Sequence, residues 1–245
     1  MQRSSLLLLF LFFAPSAQAE GVHPTLIYRE PLAQGIAALP RLSATHPAFQ
    51  TINTALAQQD DSTLSLAQNC LSEPNSDYSA TSVVMLNGPE YLAILSGNEF
   101  YCNTAHPWTI QSVLLFDLNT GEAVAAASLL PPDLRPLPEY TDGQAFDETR
   151  ELARVKPLTD LYLSRLAFAP PNDLAALNHD DCTDILQHDR HDFLIWPDAQ
   201  ARALILQPDG MAYVFSPCVA PVSIPLRLLR DLHFPARLIA ALDQP

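Results

Sequence analysis

The chain has 245 residues, 48% of them hydrophobic, and its 27 acidic and 13 basic side chains give a net charge of −14. This length suits one large domain or two small ones, and the apolar content is enough to form a core, which argues against disorder. The acidic balance argues against a nucleic-acid partner, whose phosphates require a basic face, and against anionic lipid surfaces.

The first nineteen residues have the pattern of a secretory signal peptide. Arg3 supplies the positive start, Leu6–Phe13 is an unbroken apolar run, and Ala17-Gln18-Ala19 is a small-x-small cleavage site. The alternative is a membrane anchor, but a spanning helix needs about 20 apolar residues. We therefore predict a soluble periplasmic or secreted protein with no stable membrane insertion after cleavage. Cleavage would remove one Arg and no acid, so the charge would change from −14 to −15.

The first part of the mature chain is predicted to contain a strand, a short helix and a second strand. Residues 24–30 are typical of a strand, and apolar residues at helical spacing over 49–56 predict an amphipathic helix. The polar run 58–61 is predicted to end this helix. Because leucines alternate with serines over 64–66, we predict a half-buried strand there.

The most informative stretch is 90–124. Its apolar segments 91–95 and 112–118 flank a polar connection, and the turn 119–121 follows at once. The segment 82–86 has the same strand character. Short apolar runs bounded by turn residues predict neighbouring strands of an antiparallel sheet.

Residues 131–146 contain four prolines in sixteen positions. Such density excludes helix and central strand and favours an exposed, semi-rigid connection. We predict a single domain over residues 20–245, and the alternative is two lobes divided near 131–146.

The remainder is predicted to begin with one or two helices over 152–166, interrupted or kinked at Pro157, and to end with a helical tail. Between these helices the sequence predicts a β-meander with strands at 193–196, 201–206 and 211–215. Groups of strands with a few helices and no βαβ rhythm predict an α+β fold with mainly antiparallel sheet.

Four cysteines, Cys70, Cys102, Cys182 and Cys218, lie in the part predicted to be exported. An even number of cysteines in an oxidising compartment predicts two disulfides, with three connectivities open. Sequential pairing would keep each bridge inside one candidate half of the molecule. The rival interpretation, a thiolate metal site, lacks any Cys-x-x-Cys spacing.

Several catalytic and nucleotide-binding motifs are absent from the sequence. The seven glycines are too widely spaced for a phosphate-binding loop, and neither a Gly-x-Ser-x-Gly elbow nor a His-Glu-x-x-His motif occurs. These absences lower the expectation of catalysis, and we predict a non-enzymatic protein without a cofactor.

One polar segment provides the alternative to that prediction. Residues 179–192 hold three histidines, His179, His188 and His191, and five aspartates. Such side chains are ligands for Zn²⁺, and His188 and His191 would share a helix face. An Asp and a His here would also suit acid–base work on a substrate. The favoured interpretation is a solvated polar loop next to Cys182.

A candidate recognition loop lies between the predicted strands 91–95 and 112–118. It contains Asn103, His106 and Trp108, and binding residues often lie on such loops. The favoured interpretation of His106 is a turn-stabilising role beside Pro107, and Trp108 suits the core or a sheet face better than a ligand platform.

Two short motifs in this region carry a family resemblance. Residues Ala105-His106-Pro107, followed by Phe116-Asp117-Leu118-Asn119-Thr120-Gly121, resemble a domain-of-unknown-function family. That family forms the extracellular part of RsiV-type anti-sigma factors and accessory regions of PdaC-type peptidoglycan deacetylases. Residues 210–221 and the pair Ile224-Pro225 match its later pattern more loosely. The family usually places glycines before Ala-His-Pro, whereas this chain has Cys102-Asn103-Thr104.

The resemblance implies an α+β envelope domain that binds another molecule. In the anti-sigma relatives this molecule is lysozyme, a strongly basic protein, and an acidic chain would attract it electrostatically. We therefore expect a non-catalytic binder of a basic envelope or lysozyme-like protein, with inhibition or immunity as its outcome. The alternatives are a metal-dependent envelope enzyme that uses the three histidines and an accessory factor in cell-wall or envelope maintenance.

Overall fold

The computed structural model describes residues 24–43, 46–103, 106–136, 148–166, 179–188, 191–211 and 213–244. The predicted signal peptide lies outside these ranges. The strands are β1 (Leu26–Ile27), β2 (Arg41–Leu42), β3 (Asp77–Asn87), β4 (Tyr91–Tyr101), β5 (Trp108–Asp117), β6 (Asp192–Asp198), β7 (Ala203–Asp209) and β8 (Val222–Pro225). The α-helices are α1 (Pro47–Leu71), α2 (Glu148–Leu166), α3 (His179–His188), α4 (Leu226–Asp231) and α5 (Ala236–Leu242), and short 3₁₀ segments cover Ala126–Leu129, Pro132–Leu134 and Tyr213–Cys218.

The strands form three antiparallel sheets, ordered β1-β2, β3-β4-β5 and β6-β7-β8. This arrangement confirms the predicted α+β class with mainly antiparallel sheet. The three predicted central strands are confirmed as β3, β4 and β5, and each is longer than its apolar segment. The first predicted strand, 24–30, is in fact only the two residues of β1.

The two faces of the first sheet have different neighbours. On one face α1 packs against β3, β4 and the end of β5, and Phe49, Ile52 and Leu56 contact Ile94 and Phe116. The opposite face packs against the second sheet, where Leu95 and Val113 contact Trp196 and Ile205. A larger cluster joins both sheets to α2, α4 and α5. The first sheet therefore lies between α1 and the second sheet. The strand order places β5 at one edge of the first sheet.

The predicted end of α1 at 58–61 and the strand at 64–66 are wrong, because the helix continues to Leu71. The buried Asp60 carboxylate explains why the polar run 58–61 does not end the helix. This carboxylate accepts a hydrogen bond from the Leu39 amide at 2.9 Å and forms an ion pair with Arg41 at 2.6 Å. Beyond Asp60, the buried residues Thr63, Ala67 and Cys70 recur at helical spacing, and the serines face solvent.

In the second sheet, β6 and β7 confirm two strands of the predicted meander, but the third strand was placed wrongly. Residues 213–218 form a 3₁₀ segment, and the strand that pairs with β7 is Val222–Pro225. The chain turns away from the sheet after β7 because Gly210 has a φ of +73°. A disulfide then holds Cys218 against α3.

Helix α2 is a single helix with Pro157 inside it. Its buried face presents Val155, Leu158 and Tyr162 to the core, and the Tyr162 hydroxyl donates to the backbone oxygens of Cys218 and Ala220. This burial raises the pKa of Tyr162 far above its usual value. The core contains residues from both sides of the proline-rich segment. Part of that segment, 137–147, lies outside the described residues, and the division into two lobes stays a prediction.

Both disulfides follow the sequential pairing. Cys70–Cys102 joins the end of α1 to the end of β4, and Cys182–Cys218 joins α3 to the 3₁₀ segment, with Cα–Cα distances of 4.9 and 5.3 Å. No cysteine is left unbridged. None of the described helices is long and apolar enough to cross a membrane.

Candidate functional site

The outer edge of β5 is covered along its C-terminal half. The amide of Val124 donates to the Leu115 carbonyl at 2.8 Å, and the amide of Asp117 donates to the Glu122 carbonyl at 3.0 Å. Main-chain groups of alternate residues in an antiparallel strand point to opposite sides. Odd-numbered residues of β5 therefore direct their amide and carbonyl groups outward, and even-numbered residues bond to β4.

The same alternation leaves the N-terminal half of the edge open. Thr109, Gln111 and Val113 direct their main-chain amides and carbonyls outward, where no backbone group of the described residues bonds to them. Unpaired strand edges of this kind can accept a further strand. Among the described residues, the edge is therefore open over the half of β5 that follows the disulfide-linked Cys102.

Two large apolar side chains lie on the α1 face of this open half. Trp108 is 55% exposed and Ile110 is 51% exposed. Farther along the same face, α1 covers Leu114 and Phe116. Trp108 and Ile110 thus form an exposed apolar stripe. On β4, Phe100 is the cross-strand neighbour of Trp108.

A small pocket lies on the opposite face of the open half. Its volume is about 190 Å³. This is below the roughly 300–1,000 Å³ of pockets that hold drug-sized ligands, so it suits one or two side chains better. In one wall the Gln207 amide group donates to the Gln111 amide oxygen at 2.7 Å, and this bond does not use the Gln207 amide oxygen or the Gln111 NH₂ group. The lining residues are Pro107, Trp108, Thr109, Gln111, Gln207, Pro208, Asp209, Gly210, Met211 and Val219.

Two carboxylates give this region a negative charge. Asp209 lines the pocket, and Glu99 lies opposite Thr109 in the β4–β5 register, on the pocket face. Both residues are exposed, and neither forms an ion pair within the described part of the chain. We call the apolar stripe, the open edge, the pocket and these two carboxylates the β5 surface.

The predicted recognition loop contributes to the β5 surface only in part. Trp108 lines the pocket, whereas Asn103 and His106 are exposed residues outside its lining. Asn103 follows the disulfide-bonded Cys102 with a left-handed φ of +53°. Sequence reasoning missed the pocket residues of β7, because 208–210 was interpreted only as a turn.

The histidines of the polar segment have separate surroundings. His188 is the exposed last residue of α3, and its ring contacts its own helix at the Asp184 carbonyl, 2.8 Å away. His191 lies beyond α3, is buried, and shares a 3.0 Å hydrogen bond with the Thr159 hydroxyl. The predicted common helix face is therefore wrong. The His179 side chain lies outside the described residues, among which no group of three or more metal-ligating side chains occurs.

The second motif of the family resemblance, 116–121, forms a turn with a structural role. The Asp117 carboxylate accepts hydrogen bonds from the amides of Asn119 and Thr120 at 2.8 and 3.2 Å. Gly121 has a φ of +80°, and a Cβ there would lie 2.5 Å from the Ala48 carbonyl oxygen of α1. This close approach explains the requirement for glycine.

An ion-pair cluster fixes the same turn to α5. Arg237 lies 2.9 Å from Asp117 and 2.5 Å from Glu90, and its guanidinium lies 5.1 Å from the Tyr91 ring centroid. Burial alone would raise the pKa of Asp117, but the two amide hydrogen bonds and the guanidinium outweigh it and lower that pKa. These contacts stabilise the turn, and no catalytic role follows from them.

Comparison with known proteins identifies a shared fold. No protein-family model and no curated protein matches the chain. A crystal structure of a member of the DUF3298 family from Bacteroides fragilis has a TM-score of 0.51 at 10% identity, and the match covers 90% of this chain and 96% of that chain. A DUF3298 family protein from Pseudomonas aeruginosa has a TM-score of 0.42 at 15% identity, with coverage of 75% and 71%.

The likeness to the Bacteroides protein shows the fold alone. By fold this is an α+β protein similar to a structure whose family is a domain of unknown function. The predicted resemblance to a domain-of-unknown-function family agrees with this neighbour at that level.

Proposed function

We propose that this chain is an exported, non-catalytic binding protein that recognises a basic protein of the cell envelope through the β5 surface. The observation that carries the proposal is the open half of β5, which has the exposed Trp108 and Ile110 stripe on one face and the carboxylates of Glu99 and Asp209 on the other. Exposed aromatic side chains are typical anchors of protein interfaces, and charges around them set the choice of partner.

Two further observations support export and a basic partner. Disulfides persist in oxidising compartments and are rare in the cytosol, and all four cysteines here are bridged. The net charge of −14 would attract a cationic protein over distances of about a Debye length, roughly 8–10 Å at physiological salt. The resemblance of the two motifs to RsiV-type anti-sigma factors adds lysozyme-like proteins as the partner class, with inhibition or immunity as the outcome.

The pocket favours recognition of a macromolecule over conversion of a small substrate. Its volume of about 190 Å³ accommodates a protruding side chain. Its polar side chains are two amides, the Thr109 hydroxyl and one carboxylate, which suit hydrogen bonding and charge recognition.

The test is a titration of the purified exported protein with lysozyme, and with an acidic protein of similar size as the specificity control. We expect lysozyme to bind, more weakly as salt is raised from about 50 to about 300 mM, because counterions screen the carboxylates. Trp108→Ala should weaken binding about tenfold or more, since central aromatic anchors carry most of an interface's energy.

The matched control is Tyr28→Ala, which removes an aromatic ring that is 74% exposed and lies outside the β5 surface. This variant should bind lysozyme as the unaltered protein does. Absent binding, binding that salt does not weaken, or equal losses in the two variants would contradict the proposal.

A further inference from the structure

We propose that the open edge of β5 takes up an extended segment of the partner as a fourth strand of the first sheet, with apolar and cationic side chains alternating along that segment. This inference rests on the proposed function and names its mode of binding and the chemistry of the bound segment. It depends on the main chain of β5, whereas the proposed function depends on side chains.

The length of the open edge defines the length of the segment. Thr109, Gln111 and Val113 present three amides and three carbonyls. At about 3.3 Å per residue, a partner strand of five or six residues would pair with all of them. The added strand would end at Leu115, because residues 122–124 cover the edge there and the Leu115 carbonyl already accepts a hydrogen bond from Val124.

The opposite edge of the same sheet is protected at two places, Ala80 and Met85. On β3, Ala80 bonds to Gly35 and Ala37 at 2.9 and 3.0 Å, and a bulge at Met85 bends the strand. Proteins commonly protect edges by covering them, by bulges or by charged side chains. Strand β5 has no bulge, and its residues 108–116 include no charged side chain. Within the part of the chain that the structure describes, the open half of β5 therefore lacks the usual protection against strand addition.

The two faces of β5 indicate which side chains the added strand would carry. Successive side chains of a strand alternate between the faces of its sheet. On one face they would lie beside Trp108 and Ile110, which favours apolar groups. On the other they would lie beside Thr109 and the pocket, near the carboxylates of Glu99 and Asp209, which favours Lys or Arg.

Charge selects a foreign segment over a second copy of this chain. A β5–β5 pairing would bring together two chains of net charge −14, whereas a cationic segment gains from the same field. A dimer through this edge is therefore an outcome of the test that would overturn the proposal.

The probe is a blocked eight-residue peptide of alternating valine and arginine. The first control peptide has the same composition, but its four valines are followed by its four arginines. The second control peptide alternates valine with glutamate. Binding is followed by tryptophan emission, because the chain has two tryptophans and Trp196 is only 4% exposed, so changes in exposure report Trp108. We expect the alternating cationic peptide to bind about tenfold or more tightly than either control.

The deciding variant is Thr109→Pro. Proline removes the outward amide of Thr109 and places a ring where the partner would pair, but it removes no bond to β4. Thr109→Val keeps the amide and the strand preference and is the matched control. We expect Thr109→Pro to weaken peptide binding about tenfold or more, since it removes one main-chain hydrogen bond to the peptide and its ring disturbs the neighbouring ones. Thr109→Val should change peptide binding less than about threefold, because it keeps the amide.

The outcomes separate this inference from the proposed function. Lysozyme binding that Trp108→Ala weakens and Thr109→Pro leaves intact would overturn strand addition and leave the binding function standing. Peptide binding that Thr109→Pro abolishes, with no basic protein bound, would support strand addition and count against the proposed partner. Equal binding of the alternating and block cationic peptides, or concentration-dependent dimerisation that Thr109→Pro abolishes, would also overturn the inference.

Discussion

From Leu114 to Asp117, strand β5 is covered by α1 on one face and by residues 122–124 along its edge, whereas from Trp108 to Val113 it has an open edge and an exposed apolar stripe. Both halves pair with β4 in one continuous register. The difference shows that a single strand can anchor the fold at one end and present a binding edge at the other. Substitutions in the two halves should therefore affect different properties.

The largest expected effect is on stability in the covered half. Phe116 is 5% exposed, and Phe116→Ala should lower the free energy of unfolding by about 3–5 kcal/mol through lost burial and a cavity. Ile110→Ala, in the open half, should change it by less than about 1 kcal/mol, because surface substitutions usually cost little. Urea unfolding of both variants measures the contrast, and similar losses would show that the halves do not differ in this way.

A smaller effect is expected at the turn after β5. Gly121→Ala should cost about 2–4 kcal/mol, because a left-handed backbone costs an alanine about 1–2 kcal/mol and the added Cβ would meet the Ala48 carbonyl oxygen at 2.5 Å. Gly210→Ala is the matched control, since its φ is +73° but no atom lies within 4 Å of its added Cβ. Thermal or urea unfolding should show that Gly121→Ala is less stable than Gly210→Ala. Equal stabilities would contradict the close approach of this turn to α1.

The pH dependence of the same turn should be smaller still. Because the folded state lowers the pKa of Asp117 below its usual 3.8, its ionised form stabilises the fold above that value, and the contribution is lost as pH falls through the lowered pKa. Asp117→Asn should lose about 1.5–3 kcal/mol at neutral pH, typical of hydrogen bonds to a charged group. The difference from the unaltered protein should shrink in acid.

The control for this prediction is Asp198→Asn. The Asp198 carboxylate accepts one amide hydrogen bond, from Ala201 at 2.9 Å, and has no ion-pair partner among the described residues. Asp198→Asn should therefore lose less free energy of unfolding at neutral pH than Asp117→Asn. A difference for Asp117→Asn that stays constant down to strongly acidic pH would contradict the role of its charge.

The sequence predicted the antiparallel sheet well because its strands are short apolar runs between turn residues. It failed at α1, where the polar residues that predicted an end are satisfied by distant partners, as Asp60 is by Leu39 and Arg41. It failed again at 211–215, where the disulfide to Cys182 and the turn at Gly210 take the chain out of the sheet. The partners of Asp60 and the disulfide are tertiary contacts, and such contacts override local patterns.

The candidate site was predicted only where its residues are close in sequence. Trp108 was a candidate on the loop after Cys102, although a core or sheet-face position was the favoured interpretation, and Gln207 lies 96 positions from its partner Gln111. The open edge also escaped prediction, because the pairing of strands and the residues that cover them depend on the order of the sheet. Local periodicity carries no information about that order.

The most direct test of the central claim is residue-resolved amide hydrogen exchange of the unbound protein by NMR. The outward amides of Thr109, Gln111 and Val113 should exchange at least about a hundredfold faster than the amide of Asp117, which donates to the Glu122 carbonyl, and than the inward amide of Ile110. This pattern would show an open edge in one half of β5 and a covered edge in the other. Equal, strong protection of all five amides would contradict it.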